Sequence, residues 1–406
     1  MAIYGLLGRT LGHSFSPAIH KALGNDAYAL YEVEPDQVEA FVTRADLGGL
    51  NVTIPYKETV LPFCSELAPE VQAIGAANVL VNQGGKLVAH NTDALGFLRM
   101  VQESGISVAG KKVLVLGTGG ASKAVQYALT QLNPSTVVLI SRGGQDNYEN
   151  LSRHADADII INTTPVGMFP NNGASPVSLS DFPKLSGVLD LIYNPLRTEL
   201  LLQAEALGIP FAGGLSMLVA QGIAAHELFF GVTAPETAYA SILQNLTKAQ
   251  SNIILCGMPG CGKSTLASAL GERTGREVLD TDEEIVKLAG KSIPDIFAED
   301  GEETFRNYEH QVIVELGKRS GVILSLGGGA VLREDNYGPL HQNGRIFRID
   351  RNLSLLATDG RPLSKDLTTL EEMKRNREPR YSRFSDETLD NNGSVEELID
   401  KFLARY

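Results

Sequence analysis

GMPGCGKST, residues 257–265, lies between the apolar run Ile253-Ile254-Leu255-Cys256 and Leu266-Ala267-Ser268-Ala269-Leu270. This order predicts a strand, a tight loop and a helix in succession. The spacing from Gly257 through Gly262, Lys263 and Ser264 satisfies GxxxxGK[ST] in full. Such a loop turns backbone N–H groups and a helix N-terminus toward one point, where a lysine meets outer phosphates and a serine ligates Mg²⁺. Gly257, Gly260, Cys261, Gly262, Lys263, Ser264 and Thr265 are therefore candidates to bind a nucleoside triphosphate. A glycine-rich turn with a chance lysine is the bland alternative, and the strand and helix context weighs against it. Everything before this loop is then an addition to a complete nucleotide-binding unit.

The chain has 406 residues, more than one hydrophobic core usually organises, so at least two domains are expected. A formal net charge of −13 disfavours nucleic acid and anionic membrane as partners, and leaves room for basic pockets that take small anions. Cys64, Cys256 and Cys261 are few and lack metal-ligand spacing, which points to a reducing compartment without a disulfide framework. The N-terminus MAIYGLLGRT lacks signal-peptide features, and no run of 18 apolar residues follows. The expectation is a soluble, cytoplasmic protein.

From the start, AIYGLLG predicts a short buried strand and GHSFSPAIHKAL a turn into a helix. Ser16 before Pro17 suits an N-cap, and together with Ser14 it also offers hydroxyls to a polyhydroxylated or carboxylated ligand. GLNVTIPYK predicts a strand in which Val52 and Ile54 alternate around Thr53, with Lys57 just past its end. GAANVL and AHNTDALGFL supply Asn78, Asn91 and Asp93; Thr92 or Asp93 can cap the next helix, while Lys57 and Asp93 brought together would form a proton-transfer couple.

From Lys112 the pattern becomes VLVLG, the loop Gly117-Thr118-Gly119-Gly120-Ala121, a helix through Leu132 and the strand VVLISR. This is a βαβ unit with its glycine loop in the dinucleotide position. Ser141 and Arg142 follow the second strand where an acidic residue would favour NAD; an arginine suits a 2′-phosphate, so NADP is favoured. Further buried strands are expected at 158–162 and 187–190. SMLVAQGIAAHELFFG predicts a buried helix in which Gln221 is the odd polar member, and 233–236 reads as a capping box opening another helix. Only 248–251 then separate that helix from the strand before GMPGCGKST.

Beyond the phosphate loop, Asp280 and Asp282 in VLDTDEEI are placed by alternation on one side of a strand end, or else cap a helix. Arg306, the run Gly327-Gly328-Gly329, Arg361 and Arg377 follow; several arginines beside a triphosphate loop in an acidic chain fit an anionic acceptor and a transferring phosphoryl group.

The ordered stretches GHSFSP, NVTIPYK, GAANVL, NTDALG, GTGGAS, INTTPVGM, YNPL and GGLSMLVAQ resemble shikimate dehydrogenase over nearly all of residues 1–247. The resemblance implies that Ser14, Ser16, Thr53, Asn78, Tyr193 and Gln221 meet the cyclohexene acid and that Lys57 and Asp93 are catalytic. It implies that Gly117, Thr118, Gly119, Gly120, Ala121, Ser141, Arg142 and Thr163 hold NADP, with Met217 beside the nicotinamide. Two departures are visible: 23–49 is short for the family, and Gly143-Gly144 stand where a threonine and a further basic residue are frequent.

GMPGCGKST, DTD, ETFR, GGGAV, RPL and REPRY in turn resemble shikimate kinase over residues 251–406. That resemblance implies phosphoryl stabilisation by Lys263 and Arg361, with Arg361 in a lid, and Mg²⁺ at Ser264 and Asp280. It also implies shikimate binding by Asp282, Arg306, Arg377 and Gly327 to Gly329, with Asp282 orienting or deprotonating the attacking hydroxyl.

The expected fold is α/β throughout. A two-domain dehydrogenase, with a substrate-binding domain formed by 1–94 plus 214–247 and a Rossmann-like NADP domain at 95–213, precedes a P-loop domain of the nucleoside-monophosphate-kinase type at 248–406. The implied function is bifunctional: NADPH reduces 3-dehydroshikimate to shikimate, then ATP with Mg²⁺ phosphorylates it. The rivals are an NAD-dependent quinate/shikimate dehydrogenase, disfavoured by Arg142 and Ser16, and a half that only senses the metabolite, disfavoured by intact Lys57, Asp93, Lys263 and Asp282.

Overall fold

The computed structural model describes residues 2–12, 14–356 and 367–406. Arg361, and with it the lid expected around it, lies outside them. The chain forms two compact units: Met1–Met168 with Ala174–Asn194 and Gln203–Leu246, and Phe169–Gly173 with Pro195–Leu202 and Thr247–Tyr406.

Six strands make the first sheet of the first unit: β1 (Ile3–Gly8), β2 (Ala29–Glu32), β3 (Leu47–Val52), β4 (Glu66–Leu67), β5 (Val79–Gln83) and β6 (Lys86–His90). Their order is β2-β1-β3-β5-β6-β4, with β5 antiparallel to β3 and β6. All six residues of β3 are buried. A Cβ at Gly49 would lie 2.3 Å from the Phe229 ring, so glycine there lets a helix ring press onto the strand.

A second, wholly parallel sheet holds β7 (Lys112–Leu116), β8 (Thr136–Ile140), β9 (Ile159–Asn162), β10 (Gly187–Asp190) and β11 (Phe211–Gly213) in the order β11-β10-β9-β7-β8. The chain steps outward from β7 to β8, then returns to β9 on the other side. The crevice beyond the carboxyl ends of β7 and β9 is thus the switch point at which such sheets take ligands. Residues 1–94, 214–246 and most of 95–213 fall within the first unit. Helices Asp93–Ser104 and Leu215–Phe230 cross so closely that a Cβ at Gly96 would lie 2.7 Å from the Met217 carbonyl oxygen.

The second unit is built on β12 (Asn252–Cys256), β13 (Val278–Asp280), β14 (Ile323–Ser325), β15 (Gly344–Asp350) and β16 (Glu387–Asp390), all parallel in the order β13-β14-β12-β15-β16. The central strand β12 is fully buried and runs directly into the glycine loop. Segments 169–173 and 195–202 cluster with this unit, because the Arg197 N–H donates to the Gln342 carbonyl at 2.8 Å and that of Leu196 to Asn343 Oδ1 at 2.9 Å.

Several local expectations are corrected. β3 ends at Val52, and Ile54, before a cis Ile54–Pro55 bond, is exposed. Ser16 is the first residue of helix Ser16–Ala22 rather than its cap, and Thr92 makes no capping bond through its side chain. The box at 233–236 does not form; the helix runs Ala238–Gln250, and Glu227 Oε1 takes the Ala234 N–H at 2.8 Å. That helix leaves only Ser251 before β12. Asp282 lies in helix Thr281–Ala289, so alternation along a strand does not relate it to Asp280; Asp280 is instead the N-cap, accepting from the Asp282 N–H at 3.0 Å.

Candidate active sites

In the first unit, β3 delivers its chain into the turn that holds Lys57. That turn is pinned by the buried Tyr56 hydroxyl donating to the Val33 carbonyl and by the Ala77 N–H donating to the Lys57 carbonyl at 2.8 Å. Lys57 Nζ donates to Asp93 Oδ2 at 2.5 Å. Asp93 opens its helix, and its second oxygen accepts from Asn78 Nδ2 at 2.9 Å. The same amide nitrogen reaches Thr92 Oγ1 at 3.0 Å and Gln221 Oε1 at 3.3 Å, while Asn78 Oδ1 accepts the Thr92 N–H at 2.7 Å. Asn78, Thr92, Asp93 and Gln221 are all buried. A lysine and four polar groups are therefore held in one hydrogen-bonded set around an ammonium–carboxylate pair, as proton transfer requires.

Ser16 is buried, and its N–H donates to Ser14 Oγ at 3.2 Å. Between them Phe15 packs on Tyr193 with ring centroids 5.3 Å apart, and burial pushes the Tyr193 phenol above its ordinary pKa. Asn51, behind Thr53, accepts from the Tyr28 hydroxyl at 2.8 Å and pairs with His20 Nε2 at 3.1 Å. The sequence carries no sign of this trio, whose members come from helix Ser16–Ala22, the coil before β2 and β3.

The glycine loop follows β7. Gly117 has φ +102°, and a Cβ there would meet Thr163 Oγ1 at 2.8 Å. Thr163 Oγ1 in turn donates to the Leu116 carbonyl at 2.6 Å. Helix Gly120–Leu132 has no side-chain cap, so its first N–H groups face whatever occupies the switch point. A Cβ at Gly120 would lie 3.9 Å from Lys57 Cδ, and Lys123 pairs with Glu58 at 2.7 Å, so the loop lies against the Lys57 turn. After β8, Arg142 is exposed and close enough to Tyr148 to oppose the rise that burial imposes on that phenol. Met217 is buried against the helix carrying Asp93. The donor set fits a dinucleotide: uncapped N–H groups and glycines for pyrophosphate, and an exposed guanidinium for a 2′-phosphate.

In the second unit, Gly257, Gly260 and Gly262 have φ of +141°, +84° and +100°. Lys263 Nζ is folded back on its own loop, donating to the carbonyls of Gly257 at 3.1 Å and Met258 at 3.2 Å. Ser264 Oγ lies 3.2 Å from Asp280 Oδ2 and 3.3 Å from Ser325 Oγ. Among the described residues no cluster of three or more His, Cys, Asp or Glu side chains could hold a metal alone. One hydroxyl beside one carboxylate is nonetheless the donor set with which Mg²⁺ is held when phosphates and water complete its shell.

The triple glycine follows from crowding. A Cβ at Gly327 would sit 2.7 Å from Asp282 Oδ1, one at Gly328 2.9 Å from Pro259, and one at Gly329 2.3 Å from Arg306 Nη1. Arg306 Nη1 donates to Glu309 Oε2 at 2.7 Å, and Arg377 Nη1 to the Gly328 carbonyl at 2.9 Å. The structure thus gathers Asp282, Arg306, Arg377 and the glycine run. It adds Glu309, which the sequence analysis passes over, although an acid three residues after Arg306 on a helix is a pairing signal. Glu309 is buried; burial raises its carboxyl, Arg306 opposes the rise and Asp282 adds to it. Asn391, beyond β16, donates to the Cys261 carbonyl at 2.7 Å and so braces the phosphate loop.

A glycine loop at the switch point of a parallel sheet, set against a lysine–aspartate pair, defines a dinucleotide-dependent oxidoreductase; the second unit has the plan of a P-loop phosphotransferase. Comparisons narrow both. The family model for the shikimate dehydrogenase substrate-binding domain matches residues 6–80, and that for shikimate kinase matches 259–406. The shikimate dehydrogenase (NADP(+)) of Caldicellulosiruptor bescii is 38% identical over 261 residues, 56% of this chain and 88% of the relative. That of Methanopyrus kandleri is 37% identical over 277 residues, 60% of this chain and 96% of the relative. Among solved structures, a chorismate mutase/shikimate 5-dehydrogenase fusion protein from Clostridium acetobutylicum aligns with TM-score 0.58 and 34% identity over 60% of this chain and 97% of its own. Thermus thermophilus shikimate 5-dehydrogenase in complex with NADP(H) and shikimate aligns with TM-score 0.54 and 32% identity over 60% of this chain and 99% of its own. The chain belongs to the shikimate dehydrogenase family and carries a shikimate kinase domain at its C-terminal end. Among the described residues no helix is long and apolar enough to cross a membrane.

Proposed function

We propose that the chain catalyses two consecutive steps of the shikimate pathway: reduction of 3-dehydroshikimate with NADPH, and phosphorylation of the resulting shikimate at its 3-hydroxyl with ATP. The observation that carries the first step is the 2.5 Å Lys57–Asp93 pair lying against the dinucleotide loop. Bound NADPH supplies the hydride. Lys57 supplies a proton to the oxygen that was the ketone, and Asp93 holds the ammonium in place. Asn78, Thr53 and Gln221 bind ring hydroxyls. Ser14, Ser16 and Tyr193 receive the carboxylate. Arg142 and Ser141 select the 2′-phosphate.

In the second step, Arg306 and Arg377 hold the shikimate carboxylate, with Glu309 keeping Arg306 fixed. Asp282 orients or deprotonates the attacking hydroxyl, and the Gly327–Gly329 backbone shapes its seat. Lys263 leaves the Gly257 and Met258 carbonyls to meet phosphoryl oxygens, and catalysis consists mainly of positioning and charge stabilisation. Ser264 and Asp280 hold the Mg²⁺ that offsets phosphate charge.

The test is to assay each step alone. NADPH and 3-dehydroshikimate should react far faster than NADH and 3-dehydroshikimate, and ATP should be consumed with shikimate but not without it. Equal use of NADH would overturn the role of Arg142, and absence of either reaction would overturn that half of the proposal.

A further inference from the structure

Arg377 sits on the long helix Leu367–Phe384, and what fixes that helix fixes the guanidinium. The residue after it, Glu378, makes a two-pronged ion pair with Arg348 on β15, Nη1 to Oε1 at 2.6 Å and Nη2 to Oε2 at 2.8 Å. Arg348 is 9% exposed, and its guanidinium lies 5.6 Å over the Tyr381 ring. Tyr381, one turn further on, donates its hydroxyl to the Gly328 carbonyl at 2.6 Å, the same oxygen that Arg377 reaches. One turn before Glu378, Lys374 pairs with Asp350 at the end of β15, and Asp350 also lies 3.3 Å from Arg348 Nη2.

Lys374, Glu378 and Tyr381 follow one stripe of the helix, and all three are tied through Arg348 and its neighbours to β15. β15 pairs directly with β12, with Arg348 opposite Cys256, the residue before the phosphate loop. A planar fork, which holds a carboxylate in one geometry, joins this strand to the helix bearing Arg377.

We propose that Arg348 and Glu378 are positioning residues for the phosphoryl acceptor: the fork, anchored on the buried Arg348, sets the rotation and height of the Leu367–Phe384 helix, and thereby the place at which Arg377 meets the acceptor's carboxylate. The inference rests on the assignment of Arg377 to shikimate made above. A displacement of about 1 Å at a substrate-orienting group is enough to be felt in kinetics.

The test uses the full chain, whose reductase activity reports on the rest of the molecule. Arg348→Met keeps aliphatic bulk beneath Tyr381 and removes the fork, so a role confined to packing predicts no change. Glu378→Gln, at a side chain 43% exposed, is the second and gentler variant. Both should raise the shikimate KM of phosphoryl transfer, Arg348→Met by about tenfold, while the ATP KM and the NADPH-dependent reduction stay at wild-type values. An unchanged shikimate KM in both variants, or an equal rise in the ATP KM, overturns the proposal. Arg377→Lys, measured alongside, separates the two levels. If it raises the shikimate KM and the fork variants do not, only the fork assignment fails; if it too has no effect, the assignment of Arg377 fails with it.

Discussion

Replacing Asp93 by Asn should cost the reductase about ten- to a hundredfold in kcat/KM for 3-dehydroshikimate. The carboxylate accepts from Lys57 Nζ at 2.5 Å on one oxygen and from Asn78 Nδ2 at 2.9 Å on the other. An amide has only one acceptor. Whichever way the introduced side chain turned, its NH₂ would face either an ammonium or another amide donor, so one of the two bonds is lost. A hydrogen bond to a charged group contributes about 1.5–3 kcal/mol, and each 1.4 kcal/mol is about tenfold in rate. Lys57 would also lose its anionic partner, and in the proposed proton transfer that places the loss in kcat more than in the NADPH KM. The assay is NADPH oxidation at saturating and limiting substrate, with shikimate phosphorylation by the same preparation as the control for folding. A variant within about threefold of wild type would refute the idea that this pair carries the proton transfer.

Lys263→Met should lower kcat for phosphorylation by about a thousandfold and leave the reductase untouched, as ADP release and NADPH oxidation on one sample would show. Arg142→Ala should raise the NADPH KM about tenfold or more without altering that for NADH, because only the 2′-phosphate loses a partner; parallel initial rates decide it. Acid should loosen the first unit through His20. Burial, reinforced by His226, lowers its pKa from 6.5 to about 3. Its contribution is complete above pH 6.5, and between 6.5 and about 3 the unfolded chain binds a proton the folded chain refuses, so stability falls by about 1.4 kcal/mol per pH unit. Denaturant titrations at stepped pH should show stability falling as pH drops from 6.5, and His20→Gln should make that fall shallower by the share His20 contributes.

Motifs set by local chemistry were legible. The phosphate loop needs its glycines, lysine and serine in a row on one strand–helix junction, so sequence alone locates it. The Lys57–Asp93 couple is spread over 36 positions; from the residues alone it was only a conditional pairing beside a helix-cap reading, and its role was what the resemblance to shikimate dehydrogenase implied. Less legible were features that depend on where elements stop. Ser16 looked like a cap because Pro17 follows it, yet the helix begins one residue early and leaves its hydroxyl free of that duty. Asp280 and Asp282 were related by strand alternation or else by a helix cap; the strand ends at Asp280, the cap is what forms, and Asp280 lies 3.2 Å from Ser264 Oγ. Glu309 was signalled only by its i,i+3 spacing from Arg306, a pairing common on any exposed helix, and its burial is what gives it weight. The Asn51, Tyr28 and His20 trio could not be read at all, because its members have ordinary neighbours in sequence and meet only across 23 and 31 positions.

The most direct measurement is one reaction containing the purified chain, 3-dehydroshikimate, ATP and Mg²⁺, with NADPH added last while ADP and NADPH are followed together. No ADP should appear before NADPH is added; NADPH loss should then be followed by ADP release as shikimate forms. NADPH loss without ADP, or ADP release that needs no NADPH, would contradict two consecutive activities on one chain.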